Sequence, residues 1–253
     1  LYRIPDIQDT RVVCEILRDI GADVIKQKDF VEIDPGSISN PAITPERSAA
    51  YRASYYFIGA LLAKNKKVII GYPGGDNFVS RPIDQHIKGL KAMGASVNFF
   101  EKHYEVEAEY LTGADIYFDV ITCGATINLM LAAVLAKGKT VLHNAARDPE
   151  VVDTAIFLNR MGAKVHGAGT DTIRIQGVEQ LGGCTHTAIS DRLIAGTYLI
   201  AAGITGGRVT VEDIIPEHLE ACSQKLTEIG MDIAVNENSI TAYGTGCIKA
   251  TRI

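Results

Sequence analysis

An internal repeat limits the possible folds of this chain more than any other feature of its sequence. The dipeptide Gly21-Ala22 follows an apolar-periodic stretch, and it returns as Gly94-Ala95, Gly162-Ala163 and, with one change, Gly230-Met231. The intervals between these marks are 73, 68 and 68 residues. Glycine directly after the last turn of a helix is a common stop signal, and similarity at a fixed period indicates repeated supersecondary units. The sequence therefore predicts three copies of one unit.

Each copy predicts the same order of elements: an apolar helix, a strand, a second helix that begins at a proline, and a short hairpin. The predicted first helix, strand and second helix of each copy span 52–63, 67–70 and 82–93; 126–136, 140–142 and 149–161; and 193–204, 208–211 and 216–229. Because the first helices are apolar on nearly every side, we expect them to be buried. This pattern favours an inside-out α/β barrel, with helices inside and sheets outside. An ordinary α/β sandwich with its helices outside is the alternative.

Composition narrows the function classes. The 253 residues carry a net charge of −5, which argues against a broad nucleic-acid interface. The five cysteines form no Cys-x-x-Cys pair, and this is typical of reduced thiols in the cytoplasm. The histidines lack metal-ligand spacing, and the longest apolar run, 129–136, is far shorter than the ~20 residues of a membrane span. We expect no nucleic-acid or membrane partner, no metal and no cofactor.

One copy of the repeat carries an insertion. The interval from the strand valine to the helix proline is 14 residues in the first copy, 8 in the second and 7 in the third. The additional residues are Pro73-Gly74-Gly75-Asp76-Asn77-Phe78-Val79-Ser80, and Arg81 follows them. Glycines permit close approach to a ligand, and a guanidinium at a helix start suits an anion. The loop is therefore a candidate functional site, although the same residues are also typical of a surface turn.

Several motifs occur along the chain in the same order as in a known protein family. They are Pro73-Gly74-Gly75-Asp76 with Arg81-Pro82-Ile83-Asp84-Gln85-His86, the block 118–128 with Thr122-Cys123-Gly124-Ala125-Thr126, the block Asn144–Asp153, Gly167–Ile173, and Ser190-Asp191-Arg192. Together they resemble the enolpyruvyl transferase family, in its branch that acts on UDP-N-acetylglucosamine. Long motifs in sequence order are far more specific than one short pattern. The likeness extends over essentially the whole chain.

This resemblance implies an activity and two small-molecule substrates. The family branch transfers the enolpyruvyl group of phosphoenolpyruvate to the 3-hydroxyl of UDP-N-acetylglucosamine and releases phosphate, which is the first committed step of peptidoglycan synthesis. The reaction is an addition followed by an elimination, and it needs a group that gives a proton to C3 of phosphoenolpyruvate and later removes one. The alternatives are enolpyruvyl transfer to shikimate 3-phosphate and a non-catalytic UDP-sugar-binding paralogue.

The resemblance also implies roles for particular residues. Asp76 stands where most members have a loop cysteine, the proton donor that fosfomycin alkylates. A carboxylate is a weaker nucleophile than a thiolate, so Asp76 predicts resistance to fosfomycin. Arg81 matches an arginine at the phosphoenolpyruvate site, and Arg52 matches one that lines the substrate cavity.

Two segments match the family's UDP-sugar contacts. The first is Pro82-Ile83-Asp84-Gln85, in which Gln85 replaces a common apolar residue, and the second is Val120-Ile121-Thr122-Cys123-Gly124. Val120 stands where some members have a lysine. His86 has the simpler interpretation of a structural histidine.

The family has two domains with the active site between them. We expect residues 1–191 to form the domain with the catalytic loop and residues 192–253 to begin the second domain. The chain begins at Leu1 and ends at Ile253 without a finishing element, so we expect an internal piece of a longer protein. The family's Lys-Asn pair would precede it, and the catalytic aspartate and further arginines would follow it. The piece alone is expected to be inactive.

Overall fold

The computed structural model describes residues 1–74, 82–246 and 248–252, and the chain divides into two compact units, Leu1–Ala188 and Ile189–Ile253. The elements of the first unit are α1 (Gln8–Asp19), β1 (Asp23–Lys26), β2 (Val31–Asp34), β3 (Ala42–Ile43), α2 (Pro45–Ala50), α3 (Tyr56–Asn65), β4 (Lys67–Gly71), α4 (Asp84–Ala92), β5 (Ser96–Phe99), β6 (His103–Glu107), β7 (Asp115–Tyr117), α5 (Cys123–Ala133), β8 (Lys139–His143), α6 (Pro149–Arg160), β9 (Lys164–His166) and β10 (Thr172–Gln176). Those of the second unit are α7 (Arg192–Thr205), β11 (Arg208–Glu212), α8 (Glu220–Glu228), β12 (Asp232–Val235) and β13 (Ser239–Tyr243).

The first unit contains two four-stranded sheets of the same design. Their strand orders are β3-β4-β6-β5 and β7-β8-β10-β9. In each sheet the first pair is parallel and the other two pairs are antiparallel. The hairpin predicted after each second helix adds antiparallel pairs, so the sequence predicts that parallel and antiparallel strands mix in every copy. This mixture is confirmed for these two copies, since the strand before the second helix pairs with the far strand of the hairpin in both.

The two apolar helices α3 and α5 pack against each other. Gly59 of α3 meets Asn128 of α5 so closely that a Cβ added at Gly59 would lie 2.2 Å from the Asn128 carbonyl oxygen. The described side chains of α5 from Ala125 to Met130 are buried without interruption. Because α5 has no solvent-facing stripe over this stretch, the absence of helical periodicity in its sequence follows from its position in the core.

The second unit holds the third copy of the repeat. Its sheet has the order β11-β13-β12, and both pairs are antiparallel. The prediction that both strand directions mix in every copy is therefore wrong for this sheet within the residues described. In the first two copies the parallel partner comes from a strand that precedes the apolar helix, β3 or β7, and the described sheet of the third copy has no such strand.

Several helix boundaries differ from those predicted. The helix predicted over 52–63 begins as a 3₁₀ turn, Arg52–Tyr55, before α3, and the one predicted over 216–229 begins as a 3₁₀ turn, Pro216–Leu219, before α8. The helix α5 begins three residues before the predicted position. The hydroxyl of Thr122 accepts a hydrogen bond from the Ala125 N–H at 3.4 Å, and this cap fixes the earlier start.

Within the described residues, no helix is both long enough and apolar enough to span a membrane.

Candidate substrate-binding site

The start of α4 contributes the first part of the site. Pro82 and Ile83 precede this helix, and Asp84 is its first residue. Ile83 packs against the core, whereas Pro82 and Asp84 are exposed. The helix therefore presents a carboxylate at its N-terminus, where acidic side chains are stabilised by the helix dipole.

The segment before α5 contributes the second part. Val120 is 65% exposed and Ile121 is 59% exposed, although both are apolar. Thr122 then caps α5, and the half-buried Cys123 and Gly124 form its first turn. Exposed apolar side chains such as these can bind a flat ring. The adjacent N-terminus of α5 can bind an anionic group of the same ligand.

Gln85 and Asp119 join these two parts. The Nε2 group of Gln85 donates to Oδ2 of Asp119 at 3.3 Å, and the N–H of Asp119 donates to Oε1 of Gln85 at 3.0 Å. Lys88, one turn further along α4, donates from Nζ to Oδ2 of Asp119 at 2.7 Å. The starts of α4 and α5 are thus neighbours, and we call this region the α4–α5 site: residues 82–85 and 119–124.

A buried polar network links the helices next to the site. The N–H of Gly59 donates to Oδ1 of Asn128 at 2.9 Å, and Nδ2 of Asn128 lies 3.0 Å from Nδ1 of His86. Because a backbone N–H can only donate, Oδ1 of Asn128 must face Gly59 and its NH₂ group must face His86. Nδ1 of His86 is consequently the acceptor, and the proton of the neutral ring is on Nε2. Burial lowers the pKa of His86 to about 4.

Aromatic packing connects this network to α5. The ring centroids of Tyr55 and His86 are 4.6 Å apart in an edge-to-face arrangement. A Cβ added at Gly124 would lie 2.9 Å from the Tyr55 hydroxyl oxygen and 3.3 Å from Nε2 of His86. A residue larger than glycine at position 124 would therefore force Tyr55 or the first turn of α5 to shift. Burial also raises the pKa of Tyr56 and raises that of Tyr51 to about 12, so these hydroxyls remain neutral donors.

Arg52 lies at the side of the site where the inserted loop begins. Its Nη1 group donates to the carbonyl oxygen of Gly74 at 3.4 Å, and its positive charge helps to lower the pKa of His86. The N–H of Gly74 donates to the Ser48 carbonyl oxygen at 3.0 Å, and an added Cβ would lie 1.7 Å from the carbonyl oxygen of Ala49. Only glycine fits at this start of the loop. Asp76 and Arg81 lie outside the described residues.

The sequence alone assigned no role to four residues of this region: Lys88, Asp119, Asn128 and Tyr55. Asn128 had a detectable signal, since a lone amide inside an apolar helix must find a partner in the core. Asp119 lies in the motif block 118–128, but no local pattern indicates its partner Gln85, which is 34 residues away. Among residues 1–74, 82–246 and 248–252, no group of three or more His, Cys, Asp or Glu side chains is placed to hold a metal ion.

Comparison with known proteins agrees with the fold and the motifs. A family model described as EPSP synthase (3-phosphoshikimate 1-carboxyvinyltransferase) matches residues 1–252. UDP-N-acetylglucosamine 1-carboxyvinyltransferase 3 of Caldanaerobacter subterraneus is 48% identical over 99% of the chain, and enzyme 2 of the same name from Geobacillus kaustophilus is 45% identical over 99%. The crystal structure of the enolpyruvyl transferase NikO from Streptomyces tendae superposes with a TM-score of 0.82 at 21% identity, covering 96% of this chain and 59% of that one.

These findings show that the chain has the fold of the enolpyruvyl transferases. The chain belongs to the EPSP synthase (3-phosphoshikimate 1-carboxyvinyltransferase) family. The resemblance predicted from the sequence motifs is confirmed, because the similar relatives carry the UDP-N-acetylglucosamine 1-carboxyvinyltransferase name. The chain spans 58–60% of the length of these two relatives.

Proposed function

We propose that the complete protein transfers the enolpyruvyl group of phosphoenolpyruvate to the 3-hydroxyl of UDP-N-acetylglucosamine, as the first committed step of peptidoglycan synthesis in the cytoplasm. The observation that carries this proposal is the meeting of two UDP-sugar motifs, 82–85 and 120–124, in the α4–α5 site. The names of relatives 45–48% identical to this chain support the sugar nucleotide over shikimate 3-phosphate.

The geometry of the α4–α5 site suits the nucleotide part of that substrate. The exposed side chains of Val120 and Ile121 offer an apolar surface for the base. The exposed carboxylate of Asp84 accepts hydrogen bonds from N–H or O–H groups of the nucleoside. The N-terminus of α5, capped by Thr122, presents backbone N–H groups and a partial positive charge toward a diphosphate. Each of these groups recognises a different part of the same ligand.

The chemistry requires an acid–base group and an anion site beside the sugar. The oxygen of the sugar 3-hydroxyl bonds to C2 of phosphoenolpyruvate, its proton goes to a base, and C3 gains a proton. C3 then loses a proton, the double bond re-forms, and the bond from C2 to the phosphate oxygen breaks. We assign the proton donation at C3 to Asp76. An ordinary Asp pKa of about 3.9 is too low for a donor near neutrality, so substrate charge or burial must raise it.

The two arginines bind the charged groups of phosphoenolpyruvate in this proposal. Arg81 follows the loop in sequence, and Arg52 lies where the loop begins, with its guanidinium at the Gly74 carbonyl. A guanidinium binds carboxylate and phosphate oxygens through paired N–H donors. We propose further that residues 1–191 form the catalytic-loop domain of an inside-out barrel. Residues 192–253 would then begin the second domain.

A phosphate-release assay on the complete protein tests the proposal. We expect release to require both phosphoenolpyruvate and UDP-N-acetylglucosamine, with no release when shikimate 3-phosphate replaces the sugar nucleotide. Arg81→Ala should lower turnover at least about a hundredfold, because a charge-assisted contact that strengthens in the transition state is lost. Release with shikimate 3-phosphate would assign the sister activity. Binding of the sugar nucleotide without any release would indicate a non-catalytic paralogue.

A further inference from the structure

The side-chain amide of Gln85 is bonded to other groups of the protein through both its nitrogen and its oxygen. Its Nε2 group donates to Oδ2 of Asp84 at 2.8 Å and to Oδ2 of Asp119 at 3.3 Å, while its Oε1 accepts from the N–H of Asp119 at 3.0 Å. The residue is 8% exposed. The backbone N–H of Asp119 can only donate, so the orientation of the Gln85 amide is fixed. Both amide protons are used, and the buried side chain has no free donor for a ligand.

The amide holds two like charges in place. Both carboxylates bond to the same nitrogen atom, so their bonding oxygens are at most about 6 Å apart. Lys88 offsets one of them, because Nζ donates to Oδ2 of Asp119 at 2.7 Å and to the Tyr117 carbonyl oxygen at 2.9 Å. These contacts, those of Lys88 before those of Gln85, also hold the pKa of Asp119 below its usual range. The carboxylate of Asp84 accepts from the amide of Gln85.

We propose that the Gln85 side chain is a positioning group for the nucleoside part of the UDP-sugar, acting through Asp84 and Asp119 rather than by its own contact with the ligand. Asp84 is exposed at the start of α4 and its carboxylate is the group that can meet the ligand. Asp119 precedes Val120 and Ile121, so the backbone bond from Asp119 to Gln85 fixes where these two side chains are presented. This inference rests on the proposed function, and it adds which side chain sets the affinity for the nucleoside.

Gln85→Leu in the complete protein tests this role. Leucine matches the apolar residue common in the family and fills a similar volume, but it removes the shared donor and the acceptor for Asp119. We expect the Kd of UDP and the KM of UDP-N-acetylglucosamine to rise about tenfold, which corresponds to one or two lost hydrogen bonds. The turnover number and the KM of phosphoenolpyruvate should stay within about twofold, because neither depends on preorganised nucleoside contacts.

Gln176→Leu is the matched control. The Nε2 group of Gln176 donates to the Gly138 carbonyl oxygen at 3.1 Å, and this exposed residue lies on β10. The same chemical change there should leave all four constants at the wild-type values. Equal constants in Gln85→Leu and Gln176→Leu would overturn the positioning role.

Gln85→Glu gives a readout that loss of packing alone would not produce. When ionised, this glutamate adds a third negative charge beside Asp84 and Asp119, and the bond from Lys88 to Asp119 offsets one of the three. When protonated, it again offers one donor. The ratio of its Kd for UDP to that of the wild type should therefore fall at least about fivefold between pH 8 and pH 5.5, since neighbouring carboxylates raise the pKa of the added acid.

The outcomes separate this inference from the proposed function. A wild-type protein that neither binds UDP-N-acetylglucosamine nor releases phosphate overturns both. An active wild type with an unchanged Gln85→Leu variant overturns the positioning role alone. If Gln85→Leu does not fold, the Gln85→Glu series decides: a Kd ratio for UDP that stays constant from pH 8 to pH 5.5 overturns the positioning role.

Discussion

Acidification should weaken the fold through His86. This side chain is 4% exposed, and its Nδ1 atom accepts from Asn128. Burial lowers its pKa from 6.5 to about 4, Arg52 acts in the same direction, and Asp84 opposes them. Protonation would place a charge in the core and replace the Nδ1 acceptor with a second donor facing the Asn128 amide. The neutral ring is therefore a condition of the folded state.

The sign and size of the effect follow from these pKa values. The folded pKa lies below the unfolded one, so between them the unfolded chain binds the extra proton. The contribution of His86 to stability is complete above pH 6.5 and is lost as the pH falls toward 4. The full difference is about 3 kcal/mol, and about 2 kcal/mol of it is lost between pH 7.5 and pH 5.

The assay compares wild type with His86→Gln by urea unfolding at pH 7.5, 6 and 5, and a histidine NMR titration measures the pKa directly. Glutamine retains an acceptor for the Asn128 amide and does not titrate. The wild type should lose about 2 kcal/mol more than the variant between pH 7.5 and pH 5. Parallel losses in the two proteins, or a His86 resonance that titrates above pH 6, would refute the reasoning.

Three further predictions concern packing, capping and the loop. Gly59→Ala should lower the free energy of unfolding by about 2 kcal/mol or more, because its Cβ would overlap the carbonyl of Asn128. Gly183→Ala is the control, since its Cβ meets no atom within 4 Å and the change should be nearly neutral; chemical denaturation measures both. Thr126→Val should lower the free energy of unfolding by about 1–3 kcal/mol, because the Thr126 hydroxyl accepts from the buried N–H of Ala146 at 3.1 Å. Equal melting curves for the variant and the wild type would contradict this. The complete protein should resist fosfomycin, and Asp76→Cys should gain the drug's mass by intact-protein mass spectrometry; equal labelling of both would place the donor elsewhere.

Much of the fold was predictable because short-range sequence signals mark each copy of the repeat. The glycine marks, the prolines and the apolar helices are short-range signals, and the strands near Val68, Val141 and Val209 occur where they were expected. The boundaries that moved depend on single contacts. The early start of α5, for example, depends on one hydroxyl, that of Thr122.

The candidate site was less predictable from the sequence. Motifs placed Asp84 and Gly124 in it by resemblance, but the links between the motifs are long-range. The amide of Gln85 meets a carboxylate 34 residues away, and His86 meets Asn128 across 42 residues. No periodicity encodes such pairs, because each depends on how α4, α5 and the preceding segment pack in three dimensions.

The contact between Gly59 and Asn128 constrains how the repeat can evolve. In the first copy Gly59 leaves room for the backbone of α5, and in the second copy Asn128 supplies the acceptor for the buried N–H of Gly59. The two positions are complementary but not equivalent: counted from the strand valines Val68 and Val141, Gly59 corresponds to Ala132 and Asn128 to Tyr55. A gene conversion that copied either unit onto the other would therefore replace the glycine by alanine or the asparagine by tyrosine, and either change would break the contact. Once this asymmetric contact is established, the copies of a duplicated unit are free to diverge elsewhere, but they can no longer exchange sequence at these two positions.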